Sequence, residues 1–430
     1  MTAVPAPYAG PEDYSTFRKL AFYFGVALIF LRVSVLPELF GYLLGTSLYV
    51  LYIVTPPALG GVLFAGGLGR TLQGRAARYW IAFFVWMGLA TIFSSWIGGS
   101  FNRFKDYGLY NLMLLFVVAG LATSWGDIRL IFYSIAAAGL MNLMEARLFM
   151  DVVNGRMQLW ENGTISNSND LASQLLLILP FVLWMIVDPK RNIFVRVPLF
   201  FAIGYGLWVV VGTASRGAII GLLGAFLFIL WRANMRQRVM AILAVAVLSV
   251  IVTAALPQLA SNRLGSLLGE ENLEADQSAE ARSRLFRQSL IYTIQHPLFG
   301  VGPDQFSNYQ SNEHEVKQAM WHPTHCSWTQ VSSECGMPAL IFVVCGLGSA
   351  ILGVTRAYRM ARERGNREIA NACFCYLLAM IGFLVSITFL SNAYTVNIPI
   401  MVGLGISLSL AATKQLAKVT PAPLMPVARY

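Results

Sequence analysis

The chain reads as an all-α polytopic membrane protein of about 12 transmembrane helices, with a lid of short helices on its outer face. Three observations predict this. Of the 430 residues, 57% are hydrophobic and only 12% charged, against about 25% charged in an ordinary soluble domain. Mean hydropathy is +0.61. Apolar blocks long enough to cross a bilayer, about 20 residues each as helix, recur along the chain, and ten-residue alternating strands are absent. Unpaired backbone is costly in lipid, so only helices or closed barrels cross it. The missing alternation leaves helices.

In chain order the windows are 20–36, 43–66, 79–97, 107–123, 126–149, 169–187, 195–211, 217–232, 237–256, 338–355, 369–390 and 395–412. The first carries Arg32, and no small-residue cleavage site follows it, so it reads as an uncleaved helix. Residues 1–16 read as a mobile N-terminus, and Thr420-Pro-Ala-Pro-Leu-Met-Pro426 as a disordered tail. No repeat or inverted pair of halves is visible. Residues 1–430 then form a single membrane domain, interrupted by one long polar interval, 257–338, between windows nine and ten.

The net charge of +10 raises the question of a nucleic-acid partner, and its distribution answers it. With the N-terminus inside, twenty of the 31 basic residues but only six of the 21 acidic ones face inward. That is the positive-inside bias, which sets orientation, and it implies no nucleic acid. Both termini lie inside on this count. The 257–338 interval and the connections Gly98–Tyr107, Arg147–Asp170 and Gly212–Gly217 lie outside. Cys326 and Cys335 fall on that side, where a bridge between them is permitted. Cys373 and Cys375 sit within a span and read as packing residues.

The outer connections hold the polar chemistry. Gly98–Tyr107 carries Arg103 and Lys105. Gly163–Asp170 is rich in Asn and Asp, which suits capping of the helix that follows. Gly212-Thr-Ala-Ser-Arg-Gly217 is a tight polar break that leaves Arg216 at the outer end of a span. An ionisable residue at that depth points to function, and snorkelling to the headgroups is its bland alternative. In the long interval, Leu285, Phe286, Leu290, Ile291 and Ile294 within Ala279–Gln295 space as one buried helical stripe. Pro297 disfavours helix at His296, and Phe299-Gly-Val-Gly-Pro303 reads as a turn. Thr324 reads as the N-cap of a short helix from His325 toward Glu334, broken by Gly336-Met-Pro338.

All four histidines, His296, His314, His322 and His325, lie in this interval. Gly300-Val-Gly302 lacks the lysine and spacing of a phosphate-binding loop. Glu270, Glu271, Glu274, Asp276 and Glu280 do not match a calcium loop and read as a solvated face. His322 and His325 have a zinc-ligand spacing, but Pro323 separates them and nothing completes the set. The remaining chemistry is cationic. Arg282, Arg284 and Arg287 cluster on one segment, and a guanidinium fork suits phosphate oxygens. Arg216 with one of these arginines can clamp a pyrophosphate. His325 can accept a proton near neutral pH, a structural histidine being the other reading.

These same residues resemble the bacterial O-antigen ligase and Wzy-type polymerase family of membrane glycosyltransferases. Thr213-Ala-Ser-Arg-Gly-Ala218 is similar to its Ser-Arg-Gly segment, and Arg282-Ser-Arg-Leu-Phe286 to its Arg-x-x-x-aromatic segment. His296-Pro-Leu-Phe-Gly-Val-Gly-Pro303 is similar to its turn. His325-Cys-Ser-Trp-Thr-Gln-Val-Ser-Ser-Glu-Cys-Gly-Met-Pro338 resembles its His-x-Ser…Glu-x-Gly-x-Pro segment, and Gly163–Asp170 its Asn-containing loop. The likeness spans roughly residues 150–350 and departs at Cys326, where asparagine or serine is expected. It implies a GT-C-like enzyme in a bacterial inner membrane, with a periplasmic lid and active site. Such an enzyme moves a glycan from undecaprenyl pyrophosphate to an acceptor hydroxyl, without cofactor or metal. It further implies His325 as base and Arg216 with Arg282 on the pyrophosphate. Arg284, Arg287, Asn169 and Trp328 are the expected further substrate contacts.

Three acceptors fit the resemblance: lipid A-core (a ligase), the growing glycan (a polymerase), or protein (an O-oligosaccharyltransferase). The absence of a large extra outer domain favours the ligase. The rival class is a lipid-linked glycan transporter, which would place its charges at mid-membrane, whereas Arg216, Arg282 and His325 fall on one outer level.

Overall fold

The computed structural model describes residues 16–46, 49–153, 156–159, 163–165, 167–188, 191–232, 235, 238–239, 242, 273–313 and 323–418. All but residues 238–239 and 242 of the window at 237–256, together with His314, His322, Glu270, Glu271 and both terminal tails, lie outside the described residues. Every other predicted window has a helix beneath it. In order they are α1 (Thr16–Val33), α2 (Leu36–Leu44), α3 (Val50–Phe64), α4 (Gly67–Gln73), α5 (Arg75–Ile92), α6 (Ile97–Asp106), α7 (Met113–Leu121) and α8 (Trp125–Phe149). There follow α9 (Ser168–Val187), α10 (Ile193–Gly212), α11 (Arg216–Arg232), α12 (Leu273–Gln295), α13 (Phe306–Glu313), α14 (Ser327–Glu363), α15 (Arg367–Ile387) and α16 (Asn397–Lys418).

Among the described residues, seven helices are long and apolar enough to cross a membrane, or nine if each of two bent pairs counts as one span. The chain is therefore a mainly helical, multi-pass membrane protein. The first bend, 59° between α1 and α2, falls at Val35, whose φ of 47° is left-handed. Gly98–Tyr107, expected as a loop, is α6 running through a π-helical turn at Tyr107–Leu112 into α7. One short strand pair interrupts the helices. Asp151–Val153 (β1) and Arg156–Gln158 (β2) pair antiparallel, strands too short for periodicity to register.

The core sits where α5 meets α14 and where α15 lies against α9 and α11. Trp80, Phe83, Tyr376 and Phe383 are fully buried there. The rims of α10 and α11 expose Phe200, Phe201, Leu223 and Leu227, as expected of helices whose outer faces meet hydrocarbon. What this packing positions is a set of polar connections on one end of the bundle: 163–165 with 167–168, 212–216, 323–326 and 388–396.

Candidate active site

The break between α10 and α11 is built residue by residue. Thr213 Oγ1 donates to the Val210 carbonyl at 2.7 Å, ending α10. Ala214 then takes a left-handed φ of 49°, which turns the chain. Ser215 Oγ accepts from the Ala218 amide at 3.4 Å and so caps α11. Arg216 becomes the first residue of α11. A cation there opposes the helix dipole, whereas an anion would meet both the guanidinium and the positive end of that dipole. A Cβ on Gly217 would lie 2.8 Å from Phe389, so the glycine lets α11 press against the loop between α15 and α16.

The same loop holds His325. The His325 amide donates to Ser391 Oγ at 2.8 Å, and Thr324 Oγ1 meets that oxygen at 3.3 Å. Ser327 Oγ donates to the Leu390 carbonyl at 2.7 Å and accepts from the Asn392 amide at 2.9 Å. Trp328 Nε1 donates to Thr388 Oγ1 at 3.0 Å. His325 itself is half-buried and left-handed, at φ 54°. For a non-glycine residue that conformation costs about 1–3 kcal/mol and persists only where surroundings over-determine it. Here Thr324, Ser391 and Ser327 do so. Thr324 is consequently not a helix cap, as its spacing suggests. It is fully buried and donates to the Cys326 carbonyl at 3.1 Å, and α14 begins only at Ser327.

A hydrogen-bonded circuit links the two halves. Asn392 Nδ2 donates to Asp170 Oδ1 at 3.0 Å. Asn167 caps α9, accepting from the amides of Asn169 and Asp170. Asn169 Oδ1 accepts from Arg156 Nη2 at 2.6 Å, and Arg156 Nε reaches the Thr213 carbonyl at 2.9 Å. The chain runs from His325 through Ser391, Asn392, Asp170, Asn169 and Arg156 to the turn that carries Arg216. Asn169 therefore enters as the acceptor that anchors Arg156. Sequence reasoning named neither Arg156 nor Ser391 and Asn392, because each lies in a connection without a recognisable pattern.

On α12 only Leu285 of the expected buried stripe is buried. Leu285, Ser289, Tyr292 and Thr293 face inward, whereas Phe286, Leu290, Ile291 and Ile294 are exposed. Arg282, three residues before Leu285, shares the inward face and is half-buried, while Arg284 and Arg287 are exposed. Thr293 Oγ1 meets Ser332 Oγ of α14 at 2.8 Å. The helix ends at Gln295, as Pro297 dictates. The turn after it wraps the α14 break. The amides of Val301, Gly302 and Met337 donate to the carbonyls of Ser333, Glu334 and Pro297 at 2.8, 2.9 and 2.8 Å.

A knot of charge pins the far side of that turn. Glu334 Oε2 accepts from the Asp304 amide at 3.0 Å, and Arg103 pairs with Asp304 at 2.6 Å. Burial, followed by Cys335 and Glu334, pushes the Tyr394 phenol well above its ordinary value, so it stays a donor beside Glu334. No bridge joins Cys326 to Cys335, and both are free and buried. Nine helical residues separate them by about 13 Å, beyond the roughly 7 Å a disulfide spans.

Residues 201–344 match a family model described as O-antigen ligase. Over this segment, about a third of its length, the chain is similar to the O-antigen ligase family. The match takes in the Arg216 turn, Arg282, Arg284, Arg287, the 296–303 turn, His325 and Trp328. Arg156, Asn169, Ser391 and Asn392 lie outside it, yet they complete the circuit. No curated protein matches the chain.

Within the matched segment, Cys326 has the extended backbone of an N-cap, φ −150° and ψ 116°, but its side chain makes no cap hydrogen bond. Serine there can accept from the first-turn amides of α14. Cys326→Ser is therefore expected to stabilise the protein by about 0.5–1 kcal/mol, read as a higher thermal midpoint in detergent. A lower midpoint would mean that the thiol's packing outweighs the cap.

Proposed function

We propose that this protein is an O-antigen ligase that transfers a glycan from undecaprenyl pyrophosphate to a hydroxyl of lipid A-core. The observation that carries the reading is the continuous circuit between the His325 turn and the Arg216 turn. It rigidly couples a proton acceptor to an anion-binding helix start. In the reaction, His325 removes the acceptor hydroxyl proton as that oxygen attacks the anomeric carbon. The bond from that carbon to the pyrophosphate oxygen breaks, and the leaving pyrophosphate takes the electron pair. Arg216, the α11 amides and Arg282 hold the resulting charge, so electrostatic positioning can supply most of the rate. Attack opposite the leaving group inverts the anomeric centre. No step calls on a cofactor.

The reading brings an architecture with it: one membrane domain of twelve crossings in a GT-C-like arrangement, within a bacterial inner membrane. Residues 257–338 form the periplasmic lid, and both termini are cytoplasmic. The inward bias of basic residues supports that orientation. Surrounding lipids and the carrier's isoprenoid chain are the partners of the exposed apolar faces. Arg284, Arg287 and Trp328 remain candidate contacts for the glycan.

A deletion strain tests the reading, by comparing lipopolysaccharide with the carrier-linked glycan pool. Long glycan stranded on the carrier beside bare lipid A-core is the expected result. Single repeats on lipid A-core would instead mean a polymerase, and unchanged lipopolysaccharide would remove both. Turnover by purified protein in detergent separates an enzyme from a transporter, which needs two compartments. Arg216→Lys keeps the charge but loses the planar fork, and is expected to lower turnover roughly tenfold or more. Full activity of Arg216→Lys in that assay would take Arg216 off the pyrophosphate.

A further inference from the structure

We propose that the bundle end opposite the His325 loops holds a binding pocket for the headgroup of an anionic phospholipid. A cavity of about 320 Å³ lies there, lined by Trp231, Arg232, Tyr358, Arg359, Arg362 and Glu363. Helix lengths place it. α11 leaves the site at Arg216 and ends at Arg232 after 17 residues, about 25 Å away at 1.5 Å per residue. These arginines are thus remote from Arg216 and His325.

The pocket is constructed rather than incidental. The Arg232 guanidinium sits 4.2 Å from the Trp231 ring centroid and 5.4 Å from that of Tyr358, so two aromatic faces fix its plane. Its Nε is buried and has no hydrogen-bond partner among the described residues. Arg359 and Arg362 are three apart on α14, share a face and are exposed. A purely structural account holds that cations at helix C-termini offset the dipole. That explains charge at the ends of α11 and α14, but neither the cavity nor the aromatic faces around Arg232.

The lining also names the ligand class. Three guanidiniums against the single carboxylate of Glu363 leave an excess of positive charge, which suits phosphate oxygens. Trp231 is 68% exposed, as expected of a tryptophan at a membrane interface. Leu227 and Leu352, each about two turns or less toward the bundle centre, are 55% and 56% exposed and offer acyl chains an apolar wall. Basic pockets between helices on the inner face of a membrane take headgroups of the cardiolipin kind. The inward bias of basic residues assigns this end of the bundle to that face.

The test uses detergent-purified full-length protein with defined lipids in mixed micelles. Phosphatidylglycerol and cardiolipin are expected to raise the thermal midpoint and bind saturably, and phosphatidylethanolamine to do neither. The doubly substituted Arg359→Ala, Arg362→Ala protein changes only exposed side chains, so it should fold. It is expected to bind cardiolipin about 100-fold more weakly, about tenfold for each contact of roughly 1.4 kcal/mol. Inorganic phosphate is the control for source: no effect at millimolar concentration supports a lipid, whereas the full shift from phosphate alone would overturn the lipid assignment. Equal responses to phosphatidylethanolamine and cardiolipin, or unchanged affinity in the double variant, would overturn the pocket.

Discussion

His325→Ala is expected to lower glycan transfer by about 10²–10⁴-fold, the usual worth of a positioned general base, while the protein still folds. The structure allows this to be separated from a backbone effect. His325 sits at φ 54°, where alanine keeps the strain and glycine removes it. His325→Gly is therefore expected to match or exceed the wild-type thermal midpoint, by up to about 1 kcal/mol, and still be inactive. The anchoring bond at this position comes from the backbone amide, to Ser391 Oγ, so both variants can retain it. Transfer from carrier-linked glycan, measured alongside thermal unfolding, decides the matter. If His325→Gly transfers glycan at more than about a tenth of the wild-type rate, the imidazole is not the base. His325 would then serve only to shape the turn.

The pairing of ring and backbone at this residue shows what a sequence can and cannot carry. Helix positions were legible because bilayer thickness demands long apolar runs, and the Arg216 and His325 segments because their residue types are chemically distinctive. The circuit joining them was not. Asp170 and Asn392 are 222 positions apart, and nothing local in either segment signals the other. Periodicity failed on α12 for a different reason. Spacing shows that Phe286, Leu290 and Ile294 share a face, but in a membrane protein an apolar face can meet lipid as readily as protein. All three are in fact exposed. Thr324 misled because a hydroxyl before a polar turn looks like a cap, whereas the chain stays non-helical for two more residues and spends that hydroxyl on Cys326 and Ser391.

Gly336→Ala is expected to cost about 3–6 kcal/mol and to leave little folded protein in the membrane. Two independent effects add. At φ 85° and ψ 169° the residue occupies a region open essentially to glycine alone, at roughly 1–3 kcal/mol for anything else. A Cβ built there would also lie 2.0 Å from the Leu298 carbonyl oxygen. Relief requires the 296–303 turn to move away, and that turn is held by the Val301, Gly302 and Met337 amides. It is also held by Trp86 Nε1, which donates to the carbonyls of Leu298 and Cys335 at 3.0 and 3.2 Å. Losing two or three such bonds adds about 0.5–1.5 kcal/mol each. Gly348→Ala is the control. It lies on the same helix, and a Cβ there meets nothing within 4 Å, so helix propensity alone should make it neutral or slightly stabilising. Monodisperse yield and thermal midpoint, compared between the two variants, test the account, and equal midpoints would refute it. Because the break sets the direction in which Ser327–Cys335 leaves the rest of α14, a partly folded Gly336→Ala protein should also lose transfer, with every side chain of the His325 loop still present.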